Sequence, residues 1–96
     1  MISSLPERFA RRLAAECDKE PGVKKVILFG SRARGNYRLN SDIDLALAGE
    51  GIPPRLSARL REAAGLYSLD IVHLSDLDNP DLREEIDNEG ITIYEK

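Results

Sequence analysis

Helical and strand patterns alternate along this chain of 96 residues, and that alternation constrains the fold more than any other feature. Near the start, one apolar residue recurs every four positions, at Leu5, Phe9, Leu13 and Cys17. This spacing is typical of a single buried helical face, on which Cys17 is interpreted as a small hydrophobe and not as a nucleophile. The β-branched and aliphatic run Val23–Phe29 follows and predicts a first strand.

The rest of the chain continues the alternation. Residues 43–48 and 68–74 predict two further strands, and residues 91–94 a fourth at an edge. A helix is predicted to end near Gly65, and Asn79-Pro80 has the form of a helix start. The first helix is expected to begin with a capping box, in which Ser4 is the cap and Glu7 lies three residues on. We therefore expect an α/β fold of two or three layers, as one domain over residues 1–96.

Composition excludes several classes of protein. A chain of this size buries only about 60 to 65% of its unfolded surface, which argues against a deep, enclosed substrate chamber. No apolar run exceeds four residues, so a membrane span and a secretory signal are not expected. A single cysteine excludes an intrachain disulfide framework and favours a cytoplasmic location.

Charge is distributed unevenly along the chain. The formal net charge is −3, yet the segment from Lys24 to Arg38 has five basic residues and no acidic one. Such a segment can attract phosphate locally, while the acidic remainder argues against direct nucleic-acid binding. The alternative is an ordinary solvated face.

The residues after the first strand suggest a phosphate site. Gly30 permits a tight turn, and Ser31 can cap a short helix and donate its hydroxyl to a phosphate oxygen. The segment matches neither a Walker A loop nor a dinucleotide-binding glycine motif. Taken alone, a Gly-Ser turn is as well explained by a simple helix cap.

Three acidic residues add a second signal. Asp42 and Asp44 are two positions apart on a predicted strand, so they share a face with Cα atoms about 6.5 Å apart and can converge on divalent cations. Asp70 is a charge within an otherwise apolar strand and needs a partner. If the two strands pair, the three carboxylates form the arrangement used in two-metal phosphoryl transfer. The alternatives are acids pointing into water and an ion pair of Asp70 with an arginine.

Together these motifs resemble a known family. Gly30-Ser31, ten further residues, Asp42-Ile43-Asp44 and a later Asp70 resemble the signature of the DNA polymerase β-like nucleotidyltransferases. More narrowly, residues 30–35 and 41–45 resemble the minimal nucleotidyltransferases, many of which are antitoxins of HEPN-domain toxins. The resemblance covers nearly the whole chain and implies a mixed sheet flanked by helices.

The resemblance also implies roles for individual residues. Asp42, Asp44 and Asp70 would hold Mg²⁺, as two ions, with Asp70 also acting as the base. ATP would bind with its triphosphate on Gly30 and Ser31. Further phosphate contacts are expected from three nearby residues, Arg32, Arg34 and Ser41, although one of the arginines could instead pair with a surface carboxylate.

The expected reaction is transfer of AMP from ATP to a tyrosine hydroxyl of a HEPN toxin, which thereby becomes neutralised. A short chain leaves no residues for an acceptor domain, so a partner polypeptide is expected to supply the acceptor surface. Two alternatives stay open at this point. The protein could mask its toxin by contact alone, or it could modify a small molecule such as an aminoglycoside.

Overall fold

The computed structural model describes residues 4–96. The helices there are α1 (Glu7–Asp18), α2 (Ser31–Arg34), α3 (Pro54–Ala64) and α4 (Pro80–Glu89), and a 3-10 turn spans Leu74–Asp76. The strands are β1 (Val23–Phe29), β2 (Ile43–Gly49), β3 (Leu69–His73) and β4 (Ile91–Glu95). Each predicted strand is present, with bounds within one residue of those expected.

The four strands form one sheet in the order β3-β2-β1-β4. β1 pairs antiparallel with β2 and with β4, whereas β2 and β3 run parallel. The parallel pair needs a crossover connection, and α3 provides it. The predicted mixed sheet flanked by helices is therefore confirmed.

Different helices cover the two faces of the sheet. α1 and α3 pack on one face, where Leu13, Leu60 and Leu45 belong to the larger core. α4 covers the other face, with Ile86 in a smaller cluster that includes Ala46. Side chains alternate between the two faces along a strand. Ile43 and Leu45 belong to the larger core, so Asp44, which lies between them in the sequence, projects toward the opposite face, which α4 covers.

The interior confirms the interpretation of Cys17. Its side chain is fully buried on α1, and burial raises the pKa of the thiol to about 11. A thiol in that state is not a nucleophile at neutral pH. Cys17 is therefore a packing residue of the hydrophobic core.

One helix start is as predicted and one is not. The side chain of Asn79 accepts a hydrogen bond from the Leu82 N–H at 3.1 Å and caps α4. A capping box from Ser4 to Glu7 was also expected, but Pro6 occupies the cap position of α1 and no side chain caps it. Ser4 is instead buried, and its carbonyl accepts a hydrogen bond from Arg32.

No helix within residues 4–96 has both the length and the apolar character needed to cross a membrane.

Candidate active site

The three acidic residues singled out in the sequence lie at one end of the sheet. In the parallel pairing of β2 with β3, Asp44 is the register partner of Asp70, and Asp42 immediately precedes β2. Register partners on neighbouring strands project from the same face, so Asp44 and Asp70 both face α4. The sequence left the pairing of these two strands open, and the structure shows that Asp70 lies on a strand beside Asp44.

The turn after β1 reaches the same end of the sheet. β2 lies between β3 and β1, and on the β1 side the register partner of Asp44 is Phe29, the last residue of β1. Gly30 therefore lies directly beside the Asp44 carboxylate. Gly30 has φ 75° and ψ −156°, a conformation essentially confined to glycine. A Cβ on Gly30 would collide with Oδ2 of Asp44. The backbone conformation therefore requires glycine here, and any side chain at this position would also displace the Asp44 carboxylate.

Asp44 has the most perturbed carboxyl group at this end of the sheet. Its pKa is raised to about 6, and burial of the carboxyl is the largest cause. The charges of Asp70 and Asp42 raise it further, as does Glu85 on α4, whereas Arg34 lowers it. The acids are therefore close enough to repel one another, and a positive charge among them would favour their ionised forms.

The donor set suits a hard divalent cation. Carboxylate oxygens are the ligands that Mg²⁺ prefers, and such an ion would relieve the repulsion at Asp44. Within residues 4–96, no three acidic, histidine or cysteine side chains converge closely enough to coordinate an ion as they stand. The residues thus fit Mg²⁺ in chemistry and charge, and coordination requires their side chains to turn toward one point.

Arg32 lies away from the surface, which differs from the phosphate contact expected for it. Its side chain is buried, and its guanidinium donates to the carbonyls of Ser4, Leu39 and Ser41. Sequence reasoning could not see this, because the acceptors are backbone oxygens brought together only by the fold. Arg32 holds the loop between α2 and β2 in place.

Arg34 stays at the surface beside Asp44. Its Nη1 lies 3.3 Å from a carboxylate oxygen of Glu89 and 3.6 Å from one of Glu85, so it links α2 to α4. The pairing with a surface carboxylate, which the sequence left open for one of the two arginines, is therefore found at Arg34. Its side chain remains 41% exposed, and the guanidinium can still turn toward a bound anion.

Ser31 and Ser41, the two serines expected to contact phosphate, differ in their hydrogen bonding. Ser31 is the first residue of α2, and Gly30 takes the cap position, so the expected capping role of Ser31 is wrong. No side-chain cap hydrogen bond forms at that end of α2. The hydroxyl of Ser41 accepts a hydrogen bond from the Arg38 N–H at 2.8 Å and shapes the loop that leads to Asp42.

A cleft of about 500 Å³ lies between the segments that lead into β2 and β3. Its lining includes Ser41, which precedes Asp42, and Ser68, which lies two residues before Asp70. Leu39 and Leu66 also line it and are 86% and 105% exposed. Sequence reasoning missed this apolar rim, although an exposed leucine in each of two polar loops was a visible signal.

Comparison with known proteins places this geometry among nucleotidyl-transferring enzymes. A family model described as "Polymerase beta, Nucleotidyltransferase" matches residues 11–96, a stretch that includes the Gly30 turn and the three acids. In Methanocaldococcus jannaschii, a protein named "Putative protein adenylyltransferase" is 57% identical over 28 residues. That segment is 29% of this chain and spans only 28% of the relative.

Two solved structures share the fold. One chain of a toxin-antitoxin crystal structure with AMP-PNP has a TM-score of 0.73 and 25% identity, covering 96% of this chain and 75% of that one. A structure described as a "putative minimal nucleotidyltransferase" has a TM-score of 0.66 and 37% identity, covering 85% of this chain and 86% of that one.

Proposed function

Since this chain belongs to the Polymerase beta nucleotidyltransferase family, we propose that it transfers AMP from ATP to a tyrosine hydroxyl of a HEPN-domain toxin and so acts as the antitoxin. The observation that carries the proposal is the register of Asp44 with Asp70 beside Gly30, because it brings the acids and the phosphate turn to one end of the sheet. The protein would act on ATP with Mg²⁺, in the cytoplasm.

Relatives support the nucleotide and the class of partner. One similar protein is named as an adenylyltransferase, and one similar structure is a toxin-antitoxin complex with AMP-PNP, an ATP analogue. The HEPN identity of the toxin and the tyrosine acceptor come from the resemblance of residues 30–35 and 41–45 to the minimal nucleotidyltransferases. These two points rest on that resemblance alone.

The triphosphate would bind at the Gly30 turn. Because glycine has no side chain there, the backbone can approach the phosphates closely, and the Ser31 hydroxyl can donate to an oxygen. Arg34 could leave Glu85 and Glu89 to pair with the same anion, since both ion pairs are exposed and therefore weak. These groups orient the α-phosphorus toward the acids.

Asp42, Asp44 and Asp70 would hold Mg²⁺, as two ions, which supplies charge neutralisation of the triphosphate and a lower pKa for the attacking hydroxyl. Asp70 would accept the hydroxyl proton as the base, because its partner Asp44 is committed to the turn side of the site. The acceptor oxygen forms a new bond to the α-phosphorus. The bond from that phosphorus to the bridging oxygen breaks, and pyrophosphate leaves.

The acceptor hydroxyl would enter through the cleft. A tyrosine presented by another polypeptide would approach the acids past Ser41 and Ser68, which precede Asp42 and Asp70 in the chain, while the exposed Leu39 and Leu66 offer apolar contact at the rim. A shallow cleft of this kind suits a side chain delivered by a protein better than a small molecule that must be enclosed.

The test is transfer of label from [α-³²P]ATP, with Mg²⁺, to the product of the neighbouring gene. We expect label on that protein with the wild-type chain and none with the double variant Asp42→Asn/Asp44→Asn. The matched control is Asp78→Asn/Asp81→Asn, which removes two exposed acids near the start of α4. No transfer to any protein would contradict the proposal, and neutralisation at the wild-type level by the Asp42→Asn/Asp44→Asn variant would favour masking by contact.

A further inference from the structure

We propose that Arg32 is a positioning residue that sets the placement of Asp42 relative to Asp70 and does not contact the substrate. The inference rests on the proposed function, because it assigns the two acids to one site. It gives a structural role to a cation that the sequence pattern places among phosphate ligands.

The first argument is the hydrogen bonding of the guanidinium. Arg32 is only 4% exposed. Its Nε and Nη2 both donate to the Ser41 carbonyl, at 3.2 and 3.1 Å, and Ser41 directly precedes Asp42. Nη2 also donates to the Leu39 carbonyl at 3.3 Å, and Nη1 to the Ser4 carbonyl at 2.7 Å. Arg32 therefore holds the loop into Asp42 at two of its carbonyls, in addition to the local hydrogen bond between Arg38 and Ser41.

The same bonds leave little capacity for a ligand. A guanidinium has five N–H groups, and four of those of Arg32 already point at backbone carbonyls. Binding a phosphate in the usual bidentate way needs two N–H groups side by side. Arg32 would have to give up its hold on the loop to offer them.

The second argument is stacking on aromatic rings. The guanidinium carbon lies 5.1 Å from the centroid of the Tyr37 ring and 5.3 Å from that of Tyr67. Tyr67 lies three residues before Asp70, and the next carbonyl, that of Ser68, accepts the Ile43 N–H at 2.8 Å. Through Tyr67 the cation thus contacts the segment that enters β3, just as it contacts the segment that enters β2.

These two sets of contacts explain why the residue is arginine. A planar guanidinium can offer a fork of donors at its edge and π contact on its faces, whereas an ammonium is a compact, strongly hydrated charge that cannot do both. No carboxylate lies within ion-pair distance of Arg32 in the described part of the chain, so carbonyl dipoles and ring faces compensate the buried charge.

The test compares Arg32→Lys with Arg55→Lys, which alters an arginine that pairs with Glu20 away from the acids. We measure amide hydrogen exchange of residues 38–44 and 67–70, Mn²⁺ binding by electron paramagnetic resonance, and the kinetics of AMP transfer. For Arg32→Lys we expect faster exchange confined to those segments and weaker Mn²⁺ binding. We also expect kcat to fall about 100-fold, as for a small misplacement of reacting groups. The KM for ATP should stay within about threefold. Arg55→Lys should change none of these.

Two outcomes would overturn the proposal. Unchanged exchange and Mn²⁺ binding in Arg32→Lys would show that the loop does not depend on the guanidinium. A raised KM for ATP with unchanged kcat would show that Arg32 binds substrate directly. Exchange and Mn²⁺ binding need no transfer, so they decide the role of Arg32 even if the wild-type chain transfers no AMP.

A second pair of variants keeps the test decisive if Arg32→Lys does not fold. Tyr37→Leu removes one stacking ring and leaves every hydrogen bond of Arg32 in place, and Tyr37→Phe keeps the ring. We expect Tyr37→Leu to loosen residues 38–44 in hydrogen exchange and to lower kcat about tenfold, consistent with a cation-π contribution of 1 to 2 kcal/mol. Tyr37→Phe should restore both. Equal behaviour of the two variants would contradict the proposal.

Discussion

The carboxylate of Asp44 lies directly against the backbone of Gly30, so closely that a single methyl group on Gly30 would collide with Oδ2. The contact joins the end of β1 to β2 across their antiparallel pairing. It places the candidate phosphate turn against a candidate metal ligand, so a side chain added at the turn would displace that carboxylate.

Gly30→Ala should therefore impair the site in two ways. It places a side chain at φ 75°, which costs about 1 to 3 kcal/mol of stability, and it displaces the Asp44 carboxylate. We expect kcat for AMP transfer to fall about 100-fold or more. Urea unfolding and initial rates measure the two effects.

Gly35→Ala is the control for Gly30→Ala. Gly35 also has a positive φ, 88°, but a Cβ there meets nothing within 4 Å. This variant should lose stability by backbone strain while keeping most of its activity. If both variants lose activity in proportion to stability, the contact with Asp44 has no separate role.

Asp44 also predicts a pH dependence of stability in the metal-free protein. Its pKa is about 6 in the folded chain against an ordinary 3.8, so the ionised form is disfavoured by folding. As pH rises from about 4 to about 6, the unfolded state loses its proton first, and stability falls over that interval. Allowing for partial exposure, the loss is about 1 to 2 kcal/mol.

Asp44→Asn should remove this pH-dependent loss of stability. We expect the variant to be more stable than the wild type at pH 7.5 with a chelator present, and the advantage to shrink toward pH 4. The difference in free energy of unfolding between the two proteins isolates Asp44 from other carboxyls, such as Glu20, whose pKa the hydrogen bond from Arg55 lowers. A difference that does not vary with pH would contradict the raised pKa.

Asp70→Asn tests the base. We expect kcat to fall about 100-fold or more, because an amide cannot accept the hydroxyl proton and also lacks the charge that would hold Mg²⁺. Bound ATP, measured by calorimetry without metal, should change little, since the phosphate turn lies on the other side of Asp44. The control is Asp78→Asn, an exposed acid beyond the 3-10 turn. Full activity of Asp70→Asn would exclude Asp70 as the base.

Substitution of the two leucines at the rim of the cleft should weaken binding of the protein acceptor without weakening binding of ATP. Leu39→Ser and Leu66→Ser should each raise the KM for the protein acceptor about tenfold, as expected for loss of an apolar interface contact of over 1 kcal/mol. Stability should change by less than about 0.5 kcal/mol, because both side chains are exposed.

The KM for ATP should stay at its wild-type value in both leucine variants. Ala58→Ser, on the exposed side of α3, provides a surface control. If the leucine variants modify the partner as well as the wild type does, the acceptor approaches from another side.

Local pattern was sufficient for the strands but not for how they pair. Strands such as Val23–Phe29 are marked by β-branched residues between turn residues. The charge of Asp70 in an apolar strand suggested a partner, yet the residue is exposed and its register partner is another acid, Asp44. The sequence therefore left the pairing of β3 with β2 open, because residue types do not specify which strands are neighbours.

Contacts between distant segments were beyond the reach of the same reasoning. The acceptors of Arg32 are carbonyl oxygens of Ser4, Leu39 and Ser41, and every residue has a carbonyl, so nothing in the residue types marks those three. The same hydrogen bond bears on the capping box predicted at Ser4, which does not form. The Ser4 carbonyl accepts from Arg32, and Pro6 takes the cap position of α1.

Asp44 is an acid at a position where a neutral side chain would make the fold stronger. Its pKa is raised by burial and by neighbouring charges, so the repulsion persists in every folded molecule that lacks a cation there. Asp44 therefore costs the metal-free chain stability above about pH 6, and a cation bound there would restore it, so that ion binding and folding would be thermodynamically linked at this end of the sheet.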